Sequence, residues 1–330
     1  MVPIHSKSLE PNQPLKHTQP LDPTSPRALV TGGAGFIGSH LVEGLLKEGF
    51  RVRVIDDFSS GTLENLKAVR EQIELITSDI RDQKALANAI SGTDLVFHLA
   101  GLASVPLSQE DPFLCLSING EGTLRVFDLA QKLGVKKVVY ASTSAIYGDL
   151  PAPHTETLAP HPNTPYAALK LLGENFALFY QEQKGLNTVI LRYFNVYGPR
   201  QSVDGPDSGV IPLFLAALKK KASPIILGSG EQTRDFVHVK DVVRATILAG
   251  TTPGATGVYN VATGVPVSIN HLVDLLKELE PLCPPPLKGE PRPGDPLYSY
   301  GTVERARKFL DFQAEIPLKE GLTRLLETSP

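Results

Sequence analysis

The feature that most constrains the fold is a glycine-rich turn between an apolar, strand-like run and a helix-like segment. The run Arg27–Thr31 leads directly into Thr31-Gly32-Gly33-Ala34-Gly35-Phe36-Ile37-Gly38. Glycine permits a tight turn and lets backbone N–H groups approach a pyrophosphate at the start of a helix. The turn therefore predicts a dinucleotide site, whose residues we expect to be Gly32, Gly35, Phe36, Ile37 and Gly38.

Apolar runs alternate with helix-like segments through the first 190 residues. Runs rich in Val, Ile and Leu are typical of strands that are covered on both faces. The strand-like runs are Arg27–Thr31, Arg51–Ile55, Ile73–Ile76, Asp94–Leu99, Lys137–Ala141 and Thr188–Tyr193. The helix-like segments are Phe36–Lys47, Gln83–Ile90, Phe113–Leu133 and Ala167–Lys184. The alternation predicts an α/β fold with a doubly wound parallel sheet of the Rossmann type.

Three regions are expected along the chain. Residues 1–25 mix prolines with polar residues and hold no apolar core of a signal peptide, so we expect a disordered tail. Residues 26–190 form the predicted dinucleotide-binding domain. Residues 191–330 contain more Pro and Gly and predict a smaller α/β substrate domain, with some segments that return to the main sheet. Clefts between such units are preferred sites for small molecules.

Composition argues against several classes of partner. A net charge of −3 without a Lys/Arg block argues against nucleic acid, and no apolar run approaches the roughly 20 residues of a membrane span. We expect a cytoplasmic protein. Cys115 and Cys283 lack zinc or disulfide spacing, and we expect a small buried residue and a loop thiol. His98 and His238 have no second ligand at metal spacing, so we predict structural roles and no metal site.

Two acidic residues follow strands near the glycine-rich turn. Asp56 ends the second strand, 24 residues after Gly32, where a carboxylate can accept a hydrogen bond from a ribose 2′-OH. Such a carboxylate repels a 2′-phosphate, so NAD is favoured over NADP; a plain turn carboxylate is the alternative. Asp79 and Ile80 follow the third strand and are expected to hold the adenine, although Asp79 could instead be a helix N-cap.

Tyr166 and Lys170 lie four residues apart and on one face of a predicted helix. A phenol titrates near 10, and a neighbouring ammonium together with a cationic nicotinamide would favour the phenolate that a general base requires. This spacing alone is common. It gains weight from the hydroxyl-rich stretch at 141–148, ASTSAIYG, which ends a predicted strand at the same crevice.

Taken together, these features resemble the extended short-chain dehydrogenase/reductase family, and within it the nucleotide-sugar epimerases. The resemblance runs from Arg27 to about Leu326. Its motifs are TGGAGFIGSH at 31–40, HLAGLASVP at 98–106, ASTSAIYG at 141–148, YAALK at 166–170, LRYFNVYGPRQ at 191–201, GSGEQTRDFVHVKDV at 228–242 and RPGD at 292–295.

The resemblance implies roles for individual residues. Thr143 polarises the sugar oxygen, Tyr166 is the base, and Lys170 holds the nicotinamide ribose and lowers the tyrosine pKa. Further residues are expected beside the cofactor: Leu99, Ala100 and Asn119, the last lying under the active site. Residues expected at the nucleotide sugar are Ser104, Val210, Asn195, Arg234, Arg292 and Asp295. Of these, the last four would hold the diphosphate and ribose, or merely tie loops together.

The residues after Thr143 bear on the reaction. Dehydratases of this family carry an Asp-Glu pair there, decarboxylases keep the Glu, and 3,5-epimerases have a cysteine where Ala145 stands; this chain has Ser144-Ala145. We therefore expect 4-epimerisation through a transient 4-keto sugar. A C2-epimerase, a keto-sugar reductase, a decarboxylase without the usual Glu, and a catalytically silent binding protein remain alternatives.

The expected substrates are UDP-linked sugars. In the family, a bulky Tyr at the sixth position of the segment that begins Gly294-Asp295 confines the pocket to glucose and galactose, whereas a small residue admits an N-acetyl group. Ser299 is small, and the stretch at 101–106 also resembles epimerases of N-acetylated sugars. We expect UDP-GlcNAc/UDP-GalNAc as well as UDP-Glc/UDP-Gal. If Tyr300 occupies that position, the inference reverses.

A homodimer is expected from the same resemblance. The segments Phe113–Leu133 and Ala167–Lys184 match the helix pair that forms a four-helix interface in relatives. Their apolar positions, which could equally be ordinary core, include Leu116, Leu124, Phe176 and Phe179.

Overall fold

The computed structural model describes residues 24–203, 208–291 and 296–328. Most of the predicted tail, residues 1–23, lies outside this range. Ser25 is described, and its carbonyl oxygen accepts a hydrogen bond from Arg51 Nε at 2.9 Å. No helix in the described part of the chain combines the length and the apolar character needed to cross a bilayer.

Strands and helices alternate along the chain. Within the described residues the strands are β1 (Arg27–Thr31), β2 (Arg51–Asp56), β3 (Ile73–Thr77), β4 (Leu95–His98), β5 (Lys137–Thr143), β6 (Thr188–Tyr193), β7 (Asn195–Tyr197), β8 (Ile225–Leu227), β9 (Thr233–Arg234), β10 (Phe236–His238), β11 (Gly257–Val261), β12 (Val267–Ser268), β13 (Leu287–Gly289) and β14 (Tyr298–Ser299). The α-helices are α1 (Phe36–Lys47), α2 (Gln83–Ile90), α3 (Val105–Glu110), α4 (Pro112–Cys115), α5 (Thr123–Lys132), α6 (Pro165–Lys184), α7 (Val210–Lys219), α8 (Val239–Thr251), α9 (Ile269–Leu279), α10 (Glu304–Leu310) and α11 (Leu318–Thr328).

Seven parallel strands form the main sheet in the order β11-β6-β5-β4-β1-β2-β3. This confirms the predicted doubly wound Rossmann sheet. Strand β2 pairs with one edge of β1 and β4 pairs with the other edge. The strand order therefore reverses between β1 and β4. Ligands bind at the carboxyl ends of the strands at such a switch point, and the glycine-rich turn follows β1 there.

Apolar side chains cover both faces of this sheet. On one face α1 and α8 pack together and bury residues such as Leu41, Leu45 and Val243, whereas the other face buries Phe127 and Tyr180 from α5 and α6. Removing this apolar area from water is the main favourable contribution to the free energy of folding.

The second half of the chain contributes to two cores. A separate cluster beneath α7, α9 and α11 buries residues such as Phe214, Leu272 and Leu322. However, α8 and β11 lie on the main sheet, and β6 runs through the predicted division between residues 190 and 191. The three-stranded sheet β12-β9-β14 lies outside the main sheet.

The segment predicted as one helix over Phe113–Leu133 is interrupted. Between α4 and α5 the residues Leu116–Gly122 form a π-helical segment. Close packing accompanies it, since a Cβ on Gly122 would lie 2.7 Å from Ile80 Cδ1. Such π segments occur frequently at functional sites, and this one carries Asn119.

Candidate active site

The glycine-rich turn leaves a cradle at the carboxyl end of β1. Gly32 adopts a φ of +69°, and a Cβ there would lie 2.8 Å from Ala100 N. A Cβ on Gly38 would collide with the Gly32 carbonyl oxygen. The N–H groups of the first turn of α1, which begins at Phe36 and Ile37, have no intrahelical partners, and the helix dipole favours an anion there. The geometry fits a pyrophosphate.

Asp56 ties this cradle to the end of β2. Its carboxylate accepts hydrogen bonds from Ala34 N and Phe58 N, both at 2.8 Å. Burial raises the pKa of Asp56 above its ordinary value. The side chain therefore organises the turn, as the turn-carboxylate interpretation has it, and lies at the strand end where a ribose would be held.

Asp79 is engaged by Arg81 rather than by a helix terminus. Arg81 Nε donates to both carboxylate oxygens of Asp79, at 3.0 and 2.9 Å, and this hydrogen bonding lowers the pKa of Asp79. The N-cap of α2 is Asp82, which accepts from Lys84 N and Ala85 N. The N-cap alternative for Asp79 is thus wrong. Ile80 is buried.

The β1–β4 crevice is closed by a hydroxyl and an imidazole. Leu99 N and Ala100 N donate to Thr31 Oγ1 at 3.2 and 3.1 Å. His98 is fully buried, with its ring nitrogens 2.8 Å from Thr31 Oγ1 and 3.1 Å from Thr123 Oγ1. Burial lowers the pKa of His98 to about 3, so the ring is neutral.

His238 also has a structural contact. His238 is the N-cap of α8, and its Nδ1 accepts from Lys240 N in the first turn of that helix. In the described ranges there is no cluster of three His, Cys, Asp or Glu side chains that could hold a metal ion. Cys115 is buried and Cys283 is a partly buried loop thiol.

Strand β5 and helix α6 bring Thr143 and Lys170 to the same strand end, and Tyr166 lies on the same helix. Thr143 is the last residue of β5, and its Oγ1 accepts from Ala145 N at 3.1 Å. Lys170 Nζ donates to the carbonyl oxygen of Ala141, two residues before Thr143 on β5, at 2.9 Å. Tyr166 lies one turn before Lys170 on α6. Burial lowers the pKa of Lys170 to about 8.

Helix α6 is positioned at its first turn. Thr164 caps the helix by accepting from Ala167 N at 3.2 Å, and Pro165 occupies the first helical position, where its missing N–H costs nothing. Tyr166 N donates to Ser108 Oγ on α3 at 3.2 Å. These contacts hold the start of α6, and with it Tyr166, against α3.

Asn119 supports the loop that follows β4. Its side chain is buried, accepts from Leu102 N and donates to Leu102 O, both at 2.8 Å. A Cβ on Gly101 would lie 2.9 Å from Asn119 Oδ1 and 3.5 Å from Lys170 Nζ. Asn119 therefore lies under the site. Ser104 is buried and uses its hydroxyl to cap α3, accepting from Leu107 N at 3.0 Å.

Arg234 and Ser299 are neighbours in the three-stranded sheet. They are register partners in the parallel pair of β9 and β14, so their side chains share one face. Arg234 is buried and donates to Pro296 O at 2.8 Å. Tyr298, adjacent to Ser299 on β14, points to the opposite face and is 54% exposed. Tyr300 follows the strand and is half-buried.

The remaining predicted substrate residues are Asn195, Val210, Arg292 and Asp295. Asn195 is exposed at the start of β7, where its N–H donates to Asp235 O, and Val210 begins α7. Arg292 and Asp295 lie outside the described residues.

A buried ionic network beside Thr143 escaped the sequence analysis. Glu174 on α6 accepts from Ser142 Oγ at 2.5 Å and pairs with Arg192 of β6 at 2.7 Å. Arg192 also donates to Tyr147 Oη at 2.9 Å, and Tyr147 Oη donates to Asn260 Oδ1 at 2.7 Å. Glu174 lies one turn after Lys170, and that spacing is the signal that could have indicated it.

An apolar shelf was also missed. Ile225 and Leu287 are register partners on β8 and β13, and both are exposed together with Leu227. Gln232, two residues before Arg234, donates from Nε2 to the backbone oxygen of Leu227 at 2.7 Å. Small-molecule sites are lined mainly by apolar side chains with a few polar groups. The short strands here, three residues each, carry too little periodicity to predict it.

A family model matches residues 28–262 of the chain and is described as the NAD dependent epimerase/dehydratase family. Among curated proteins, UDP-N-acetyl-alpha-D-glucosaminuronate decarboxylase of Bacillus cytotoxicus is 40% identical over 229 residues, which cover 68% of this chain and 70% of the relative.

Two solved structures resemble the chain closely. UDP-glucose 4-epimerase of Thermotoga maritima, with UDP-glucose, is 38% identical with a TM-score of 0.87, and the match covers 91% of this chain and 97% of that one. UDP-N-acetylglucosamine 4-epimerase of Methanobrevibacter ruminantium, in complex with UDP-N-acetylmuramic acid, is 37% identical with a TM-score of 0.88, covering 92% and 97%.

Proposed function

The chain belongs to the NAD-dependent epimerase/dehydratase family, as an extended short-chain dehydrogenase/reductase, and we propose that it is a UDP-sugar 4-epimerase. Its cofactor is NAD. The observation that carries the proposal is that Lys170 Nζ donates to the carbonyl oxygen of Ala141 near the end of β5, two residues before Thr143, while Tyr166 lies one helical turn before Lys170 on α6. Ser144 and Ala145, which follow Thr143, supply no further acid or base.

The chain's own groups divide the work of the reaction. When bound, NAD would supply the hydride acceptor and donor that inversion at the sugar carbon requires. Tyr166 takes the proton of the sugar hydroxyl and gives it back, and Thr143 donates a hydrogen bond to the same oxygen. Lys170 holds the nicotinamide ribose and favours the tyrosine phenolate. The cradle at Gly32 and Gly38 holds the pyrophosphate.

Substrate recognition is proposed for the lobe that contains β9 and β14. Arg234, Asn195, Arg292 and Asp295 hold the diphosphate and ribose, the shelf at Ile225 and Leu227 takes the flat base, and Ser299 lines the sugar pocket. The shared face of Ser299 and Arg234 supports Ser299 rather than Tyr300 as the pocket residue. We propose both UDP-Glc/UDP-Gal and UDP-GlcNAc/UDP-GalNAc as substrates, a homodimer as the assembly and the cytoplasm as the location.

A decarboxylase is the second candidate, and the Bacillus cytotoxicus relative favours it. Ser144 and Ala145 argue against it, because neither can act as the carboxylic acid that decarboxylases of this family keep there. A C2-epimerase and a keto-sugar reductase share the same first hydride transfer and differ in their products or in their need for added cofactor.

The test is an incubation of the purified protein with a panel of UDP-, GDP-, CDP- and dTDP-sugars, including UDP-glucuronate, without added cofactor. We expect NMR to show C4 epimers of the two UDP-sugar pairs. A C2 epimer would indicate a C2-epimerase, and a decarboxylated pentose would indicate a decarboxylase. Turnover only with added NAD(P)H would indicate a keto-sugar reductase, and each of these results would contradict the proposal. Absence of any product would indicate a silent binding protein.

Tyr166→Phe is the matched variant for this panel. It should retain bound NAD and lose turnover by about 100-fold or more, because the base is gone while the cradle is intact. Full activity in this variant would remove Tyr166 from its role.

A further inference from the structure

The ammonium of Lys170 lies over an aromatic ring that has no role in the proposed mechanism so far. Lys170 Nζ is 5.1 Å from the ring centroid of Tyr140. Tyr140 precedes Ala141, whose carbonyl oxygen accepts from the same Nζ at 2.9 Å. Two consecutive residues of β5 therefore contact the ammonium. The face of a ring attracts a cation, most strongly where water is excluded, and both side chains are buried.

The Tyr140 ring is held in place from several sides. Its Oη donates to the Lys170 carbonyl oxygen at 3.4 Å, and a Cβ at position 173 would collide with that Oη, so Gly173 makes room for it. The rings of His98 and Phe127 lie 5.6 and 5.9 Å away, centroid to centroid. The ring face is therefore presented to Lys170 in one orientation.

Few other groups compensate the charge of Lys170. The titratable and charged groups around it, from α4, β4, α6 and β6, are Cys115, His98, Tyr166, Glu174 and Arg192. Burial raises the pKa of the Cys115 thiol and lowers that of His98 to about 3, so both are neutral. The charge of Glu174 favours the ammonium, but Glu174 is itself paired with Arg192. The Tyr140 ring attracts the ammonium without needing a charge of its own.

We propose that Tyr140 is a positioning residue, whose ring face keeps Lys170 protonated and fixed against β5 so that Lys170 can act on Tyr166. The contact with Lys170 stands on the geometry alone. Its consequence for turnover rests on the proposed epimerase function.

The test varies the ring while keeping its shape. Tyr140→Phe retains the ring, and 4-fluoro-, 3,5-difluoro- and 3,4,5-trifluorophenylalanine at position 140 progressively weaken the negative potential of its face. Lys170 is titrated by NMR of the full-length protein labelled with ¹⁵N-lysine, and Lys170→Met identifies the signal. Thermal unfolding of each variant controls for stability.

We expect Lys170 to titrate in Tyr140→Phe close to its wild-type value, and up to about 1 pH unit lower across the fluorinated series. The basic limb of the pH profile of kcat should move in the same direction, because turnover requires the ammonium. An unchanged Lys170 titration across the series would overturn the proposal. The NMR titration does not depend on turnover. If the protein is inactive but Lys170 titrates with the expected trend, only the epimerase function is refuted. If the Lys170 titration shifts while the basic limb of kcat does not move, the role of Tyr140 in turnover is refuted.

Discussion

Ser299 is the residue on which the breadth of the proposed sugar pocket depends. It lies beside Arg234 on one face of the small sheet, and both side chains are buried. A small hydroxyl leaves room for an N-acetyl group, whereas a phenol would fill that space. The alternation of side chains along β14 sends Tyr298 to the other face.

We therefore predict that Ser299→Tyr lowers kcat/KM for UDP-GlcNAc by roughly 10- to 200-fold while UDP-Glc is still converted. Formation of the epimer of each UDP-sugar would be measured by NMR or chromatography. Tyr298→Phe, on the opposite face, serves as the control and should leave both values unchanged. If Ser299→Tyr converted both substrate pairs with the same kcat/KM as the wild type, Ser299 would not line the sugar pocket.

Asp56 connects cofactor binding to the shape of the glycine-rich turn. Removing its carboxylate would leave Ala34 N and Phe58 N without their acceptor and would also remove the proposed ribose contact. Hydrogen bonds to charged groups contribute more than neutral ones. We expect Asp56→Ala to weaken NAD binding by about 10- to 100-fold in calorimetric titrations.

The neighbouring Asp57 provides the control for that measurement. It is exposed, and its carboxylate accepts only from Ser59 among the described contacts. Asp57→Ala should bind NAD almost as wild type does. If the two variants lost affinity equally, general charge near the cleft, and not the Asp56 contacts, would explain the effect.

At the scale of elements, α6 is anchored to the sheet by a buried ion pair. Glu174 and Arg192 have side-chain exposures of 2% and 4%, and Ser142 next to Thr143 shares the carboxylate. Removing one partner leaves the other as an uncompensated buried charge. The pair thus joins the helix that carries Tyr166 and Lys170 to the strands beneath it.

Glu174→Gln should lower the free energy of unfolding by about 3–5 kcal/mol, measured by urea denaturation. The matched control is Glu121→Gln, which removes the partially exposed pair with Arg125 on the surface and should cost less than about 1 kcal/mol. Similar losses for both variants would show that the buried pair is not the anchor we describe.

At the scale of the whole molecule, the apolar residues predicted for the dimer interface separate into two groups. Leu116, Leu124 and Phe179 are exposed, and so is Phe113, at 80% of its surface. Phe176 instead packs against the core beneath α5 and α6. Exposed apolar patches on soluble domains mark interaction surfaces, and the exposure of these four residues on α4 to α6 supports the proposed homodimer.

We predict that Phe113→Asp combined with Phe179→Asp converts the protein into a monomer, because two charges would be buried in the interface. Sedimentation velocity at micromolar concentration measures this. Leu282→Asp, at a site 86% exposed on the other lobe, should leave the oligomeric state unchanged. A wild-type protein that sediments as a monomer would contradict the proposal.

The sequence by itself determined the sheet, the cofactor turn and the family. Buried parallel strands require apolar runs, the turn after β1 requires Gly32 and Gly38, and the spacing of Tyr166 and Lys170 requires one helical turn. All of these are local constraints, which a linear pattern records directly.

Only the tertiary structure decided what depends on residues far apart in the chain. The periodicity of Phe113–Leu133 predicts one helix, but packing of Gly122 against Ile80 accompanies a π segment that directs Asn119 to Leu102. The pairing of Glu174 with Arg192, the ring of Tyr140 under Lys170 and the face shared by Ser299 and Arg234 likewise arise where separate elements meet. A linear pattern fixes which face of an element is apolar, whereas the polar partners in the interior are selected by the three-dimensional packing.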